Sequence, residues 1–222
     1  MMLFAVTMLC AASCTKQKGL EASGSFNGHD YVDLGLPSGT LWATCNIGAA
    51  SPEEYGDYFA WGETEPKATY NWENYKYNNG DECHLTKYCN NSAEGYNGFT
   101  DTLTMLQPND DAATVNWGYG WSMPTKEQWE ELIDNTSGTV TRWNGVRGNL
   151  FTATNGNSIF LPYACHYEES GFISKPKVSY YWSSSLNEEL CGFALYFWDW
   201  LINEASYRSE GLSVRPVCFA LK

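Results

Sequence analysis

The chain has 222 residues, room for one sizeable domain, and its 43% hydrophobic and 16% aromatic content excludes an intrinsically disordered chain. A formal net charge of −13 makes a surface that repels phosphate backbones, which excludes nucleic acid as a partner. The charged fraction is only 18%, and ten Trp, fifteen Tyr and twenty Gly suit a loop-rich extracellular domain better than a helical cytosolic one.

Met1 to Ala12 is apolar and leads into Ala11-Ala12-Ser13-Cys14. Small residues directly before a Cys resemble the lipobox of bacterial lipoproteins. That resemblance implies a signal segment over 1–13, a lipid on Cys14 and a polar tether over 14–25, with the domain proper over 26–222. The apolar run is too short to span a bilayer. The expected location is the cell envelope, as an outer-membrane lipoprotein. Thr15-Lys16-Gln17-Lys18 lacks the acidic run of a surface-export tag, so the periplasmic and surface faces both stay open.

Further along, Tyr31 to Leu34 alternates as a strand does. Leu36-Pro37-Ser38-Gly39-Thr40 places Pro and Gly for a tight turn, and Leu41 to Cys45 predicts a second strand. Ser51-Pro52-Glu53-Glu54 has the order of a helix start: a cap, Pro at the first turn, then acids near the positive end of the dipole. Asn71 to Asn116 predicts a long irregular stretch pinned by aromatics. Thr125 to Gln128 forms a capping box, with Trp129, Leu132 and Ile133 on one helical face, and the helix is expected to end between Asp134 and Gly138. Asn155-Gly156 lies between apolar runs and predicts a hairpin. Tyr180 to Trp182, Phe193 to Phe197 and Ser213 to Phe219 read as later strands, the last an edge or a short one because of Pro216. The sum is an α+β pattern of short antiparallel strands, one or two helices and long loops.

Beyond Cys10 and Cys14, six of the eight cysteines remain: Cys45, Cys83, Cys89, Cys165, Cys191 and Cys218. In an exported chain an even set suggests disulfides, with the pairing open. Cys83 and Cys89 could close a short loop, and Cys165 and Cys191 lie in neighbouring late segments. No zinc spacing, H-E-x-x-H, G-x-S-x-G or P-loop motif occurs, so neither metal nor cofactor is expected and the chain reads as a non-enzyme. His29, His84 and His166 read as surface or loop residues. The adjacent acids at 53–54, 110–111, 130–131 and 188–189 read as helix caps and solvated faces, not as a convergent pair across a cleft.

Six blocks in order carry a family resemblance: Tyr31 to Ala43, Tyr55 to Glu63, Asp110 to Ala113, Trp121 to Thr125, Tyr181 to Ser185, and Ser213 to Val217. From Tyr31 to Cys218 the chain resembles the Fibrobacter succinogenes-type major paralogous domain, frequent in exported proteins of Bacteroidetes. That family is similar to the C-type-lectin-like fold, and more closely to its formylglycine-generating branch. The reactive cysteine pair of that branch finds no match around Cys191 and Cys218. The calcium-lectin loop that Gln107 to Asp110 resembles falls too early in the chain. Some members of the branch are variable proteins of diversity-generating retroelements, in which the segment between the Trp-Ser-Ser and Val-Arg-Pro blocks carries the ligand-facing residues.

Here that segment runs from Leu186 to Leu212. Its candidate ligand-binding residues are Trp198, Asp199, Trp200, Asn203, Glu204, Ser206, Tyr207, Ser209 and Glu210, with Tyr196 as a support. Alternation places Tyr196, Trp198 and Trp200 on one face and Phe193, Leu195 and Phe197 on the other. The function expected is binding of a glycan or protein ligand at the envelope. The alternatives are a structural or adhesin subunit and, less well matched, an enzyme of the formylglycine-generating type.

Overall fold

The computed structural model describes residues 20–80, 84–173, 179–187, 193–198 and 201–219. In chain order its strands and helices are β1 (Gly24–Phe26), β2 (His29–Asp33), β3 (Thr40–Ala43), β4 (Tyr58–Phe59), α1 (Ala112–Trp117), β5 (Trp121–Ser122), α2 (Lys126–Asp134), β6 (Thr136–Trp143), β7 (Val146–Ala153), β8 (Ser158–Pro162), β9 (His166–Glu168), β10 (Gly171–Ile173), β11 (Tyr181–Leu186), β12 (Phe193–Trp198), β13 (Leu201–Tyr207), β14 (Leu212–Ser213) and β15 (Val217–Phe219). Short 3-10 turns at Trp72–Asn74, Tyr96–Gly98 and Pro108–Asp110 punctuate the long irregular stretch. The architecture is α+β with mostly antiparallel pairing. No helix among the described residues is long and apolar enough to cross a membrane.

One sheet has the order β1-β2-β3-β15-β5, so the last strand inserts between early ones. A second has the order β13-β12-β11-β14-β4, with β11 and β14 parallel. A meander, β6-β7-β8, and the β9-β10 hairpin complete the set. One apolar cluster joins Trp42 of the first sheet, Trp129 and Leu132 of α2, and Phe151, Ile159 and Leu161 of the meander. Another joins Phe59, Trp61 and Trp182 to the tyrosines of the long loop, Tyr70, Tyr75, Tyr77 and Tyr88. Both indoles of this second cluster are satisfied: Trp61 donates to the Ser183 carbonyl at 2.9 Å and Trp182 to the Phe59 carbonyl at 2.7 Å.

The capping box forms as read. Thr125 accepts from the Gln128 N–H, Gln128 accepts from the Thr125 N–H, and α2 ends at Asp134. Asp111 caps α1 and also receives the Met123 N–H at 2.8 Å. The Asn155-Gly156 hairpin joins β7 to β8. Asn144-Gly145 joins β6 to β7 in the same way. Both residues have positive φ, 46° and 86°, as a type I′ turn requires.

Several expectations are corrected. Ser51 to Glu54 is a turn and not a helix, since the Glu54 N–H returns to the Ser51 carbonyl at 3.2 Å. The chain then reverses at Gly56, where a side-chain carbon would sit 2.1 Å from the Ile47 carbonyl. After α2 the chain runs directly into β6, a strand the sequence reading did not place, whose Thr and Val content favours a strand once β7 pairs with it. Ser213 to Phe219 is two strands, because residues 214–216 hand the chain from the second sheet to the first. β15 is not an edge: Pro216 lies just outside it, and its carbonyl still receives the Ala43 N–H at 2.9 Å. His166 is buried on β9 and is neither a surface nor a loop residue.

Arg215 shows how that crossover is held. It is fully buried, and burial pushes its guanidinium below the usual arginine value. It donates to Asn46 Oδ1 at 2.8 Å and to the carbonyls of Ala43, Thr44 and Phe160 at 3.0, 2.6 and 3.0 Å. One side chain thus ties the first sheet to the meander through acceptors that would otherwise be orphaned.

Candidate ligand-binding surface

β12 and β13 pair as an antiparallel hairpin at the end of the second sheet, with β13 outermost. The Cα partners are Phe193 with Tyr207, Ala194 with Ser206, Leu195 with Ala205, and Tyr196 with Glu204. The register shifts between Tyr196 and Trp198, which interrupts the strict alternation expected there. Asp199, Trp200, Cys83, Cys191 and Cys14 lie outside the described residues, as do the side chains of Trp198, Asn203 and Glu204.

The remaining candidates divide by depth. Tyr207 is exposed at 37%, and Ser206 and Glu210 are half-buried. Ser209 is only 4% exposed, so it stands beneath the surface and presents no contact to a ligand. Tyr196 is buried. Its ring stacks on Tyr180 at 5.5 Å, and Tyr180 lies over His166 at 4.2 Å.

The tip of β13 is clamped from below. Tyr207 points out, with its ring edge-on to Trp72 at 5.9 Å, and the next residue, Arg208, turns fully inward. Arg208 donates to the Tyr75 hydroxyl at 2.9 Å and to the carbonyls of Tyr88 and Lys87 at 3.0 Å each, and its guanidinium lies 5.0 Å from the Trp61 ring centre. The chain then returns through Glu210, whose N–H bonds the Tyr207 carbonyl. Gly211 exchanges both backbone bonds with Tyr167 at 2.9 Å. A side chain at 211 would strike the Tyr70 ring at 2.7 Å, so only glycine lets this strand approach so closely.

Two carboxylates give the region its electrostatic character. Asp110, almost wholly buried, accepts from Lys76 at 3.1 Å, Lys87 at 2.6 Å, the Tyr88 hydroxyl at 2.7 Å and the Tyr77 hydroxyl. Burial opposes its ionisation, but these four donors outweigh that and hold it well below the usual carboxylate range, while burial and Asp110 raise both phenols. Glu210 has fewer donors. Burial pushes it up to about 7, with Glu168 adding like-charge repulsion, against a single hydrogen bond from Ser206. Glu168 in turn pairs with His166 Nε2 at 2.8 Å.

His166, Glu168, Tyr180 and Trp72 are therefore parts of this region that reading the segment alone misses. They come from other strands and from the long loop, and no spacing in the sequence links them to Glu210 or Tyr207. The two Asp110-Asp111 carboxylates also differ from one another: Asp111 is a helix cap, as expected, whereas Asp110 is an internal ion-pair centre and not a solvated acid. Asp101, in the Asp101-Thr102-Leu103 triplet, receives the N–H groups of Tyr88, Cys89 and Leu103 and so fixes its own loop.

No disulfide joins two described cysteines, and Cys45 and Cys218 are free thiols, which removes these two from the expected framework. Burial pushes the Cys218 thiol up to about 11. A shallow depression of about 460 Å³, lined by Leu34, Pro37, Asp134, Thr136 and Thr152 among others, shares no residue with the hairpin. No group of three or more metal-binding side chains occurs among the described residues. Comparison with family models, with curated proteins and with solved structures finds no match to this chain.

Proposed function

We propose that the protein is an envelope lipoprotein, anchored through Cys14, that binds a glycan or protein ligand along the β12–β13 edge. In this reading its domain is of the C-type-lectin-like kind and belongs with the Fibrobacter succinogenes-type family. The observation that carries the reading is the build of the β13 tip. An exposed Tyr207 and a half-buried Glu210 sit on a support fixed by Arg208, Tyr196 and Gly211. Side chains on such an edge can change without disturbing the core, and a rigid aromatic beside a carboxylate gives contact area at low entropic cost.

The full chain, probed with a glycan array and with bacterial surface extracts, is expected to bind. Tyr207→Ala combined with Glu210→Gln is expected to lose binding by about tenfold or more, with melting little changed, since hot-spot side chains carry about 2 kcal/mol each. Equal binding by the double variant would sink the assignment of the surface. A structural or adhesin subunit is the second reading, favoured by β13 standing at the edge of its sheet, where backbone groups can pair with another strand. Assembly in solution without ligand binding would favour it. An enzyme of the formylglycine-generating type is the least supported, because a buried thiol at about 11 is not a thiolate at neutral pH.

A further inference from the structure

Ala22 to His29 and Ala112 to Thr125 are two of the stretches of this acidic chain that carry no Asp, Glu, Lys or Arg. They lie far apart in sequence, and the fold brings them together. Phe26 of β1 packs on Trp121 at 6.2 Å between ring centres, and its carbonyl receives the Trp121 indole N–H at 3.1 Å. Asn27 donates to the carbonyls of Trp117 and Tyr119 at 3.4 and 3.3 Å. His29 stacks flat on Trp117 at 3.8 Å, and burial holds it below its ordinary value, so it adds no charge at neutral pH. Acids lie at its borders: Asp30 on the next residue of β2, and Glu63 and Glu65 on either side of Thr64, whose carbonyl receives the Asn116 amide at 2.9 Å.

On this uncharged lobe Tyr119 stands 86% exposed between Gly118 and Gly120, and Val115 on α1 is 50% exposed. A tyrosine left so open is in no position to stabilise the fold, and its neighbours Phe26, Trp117 and Trp121 are aromatic. Trp and Tyr with one wet end are the residues that settle at the headgroup level of a bilayer. The lobe is also where the tether enters the domain. β1 begins at Gly24, ten residues after Cys14, a span of at most about 35 Å when fully extended.

We propose that the lobe of Tyr119, Val115, Phe26 and Trp117, seated on the buried Trp121, docks on the lipid surface that holds the anchor, so that the domain rests on the membrane through this face. The lobe is built from charge-free stretches in a chain whose net charge of −13 would repel anionic headgroups, and it therefore suits a zwitterionic surface. The inference rests on the anchored reading above, and the test separates the two.

The full chain with Cys14→Ser has no lipid site and is floated with vesicles of phosphatidylethanolamine and phosphatidylcholine. It is expected to partition measurably onto them, and Tyr119→Asp in the same chain to lower that partition by about fivefold or more, with an unchanged melting curve. In the native chain on the same vesicles, amide exchange at residues 115–121 is expected to slow, and Tyr119→Asp to restore it. Equal partition of the two Cys14→Ser chains, or exchange that ignores the vesicles, overturns the docking face. A native chain that dimerises without lipid and becomes monomeric with Tyr119→Asp assigns the face to a second copy and also overturns it. Mass spectrometry of Cys14 decides the anchor separately: an unlipidated Cys14 overturns the anchored reading, and Tyr119-dependent flotation still supports the face.

Discussion

Asp110 and Glu210 are both carboxylates drawn out of water in the same half of the molecule, yet their surroundings are opposite. Asp110 is met by two ammonium groups and two phenols, whereas Glu210 is met by one hydroxyl and faces Glu168. The first acid is held ionised, and the loops that carry Lys76, Tyr77, Lys87 and Tyr88 converge on it. The second is poised near neutrality at the rim of the candidate surface. Donors delivered by the fold, more than depth alone, decide whether a withdrawn acid serves as scaffold or remains responsive.

The signs of their pH dependence differ accordingly. Asp110 has a depressed value in the folded state, so its stabilisation is present above its ordinary value of 3.8 and is lost as the pH falls. Glu210 has a raised value, so it holds its proton more tightly when folded. Its contribution is most favourable below 4.5 and declines as the pH rises to about 7.

The largest effect that would test the contrast is Asp110→Asn. It leaves two lysines and two phenols around a neutral amide, and stability is expected to fall by about 2–4 kcal/mol in denaturant unfolding. That is less than the full cost of breaking a buried pair, because both lysines reach solvent. A change within about 0.5 kcal/mol would deny Asp110 its scaffold role. Next comes Gly211→Ala, which drives a methyl into the Tyr70 ring and is expected to cost about 1–3 kcal/mol, read as a lowered melting temperature. Smallest is Glu210→Gln, within about 1 kcal/mol of the native protein near pH 5. Relative to that variant the native protein should weaken steadily from pH 4.5 to about 7. Asp111, raised to about 6, slopes the same way but is common to both proteins and cancels in the difference. A difference that does not vary with pH would mean that Glu210 titrates as an ordinary surface acid.

Local features of the fold were legible in advance. The capping box over Thr125 to Gln128 and the Asn-Gly turn at 155–156 each depend on residues a few positions apart, and each formed as read, whereas the stretch expected to be irregular from Asn71 to Asn116 ends in the helix α1 from Ala112. Where local signals competed, the reading failed. Ser51-Pro52 carries a good helix start, but Gly56 must turn under the Ile47 carbonyl and leaves no room for a helix. The stretch Thr139 to Trp143 is rich in Thr and Val and ends in Asn144-Gly145, so β6 was recoverable from the same turn rule that found its neighbour. Within the candidate segment Tyr207 is exposed and Tyr196 buried, while Ser209 is turned inward by the reversal that buries Arg208.

The sequence by itself determined the short-range rules: where α2 is capped and where hairpins turn. Only the tertiary structure decided that β15 enters between β3 and β5, that Arg208 and Arg215 become internal ties, that Glu168 faces Glu210, and that two uncharged stretches meet around Tyr119. The reason is physical. Caps and turns are settled by hydrogen bonds within a few residues, whereas burial, desolvation and charge pairing depend on which distant segments share a space, and no local pattern encodes that.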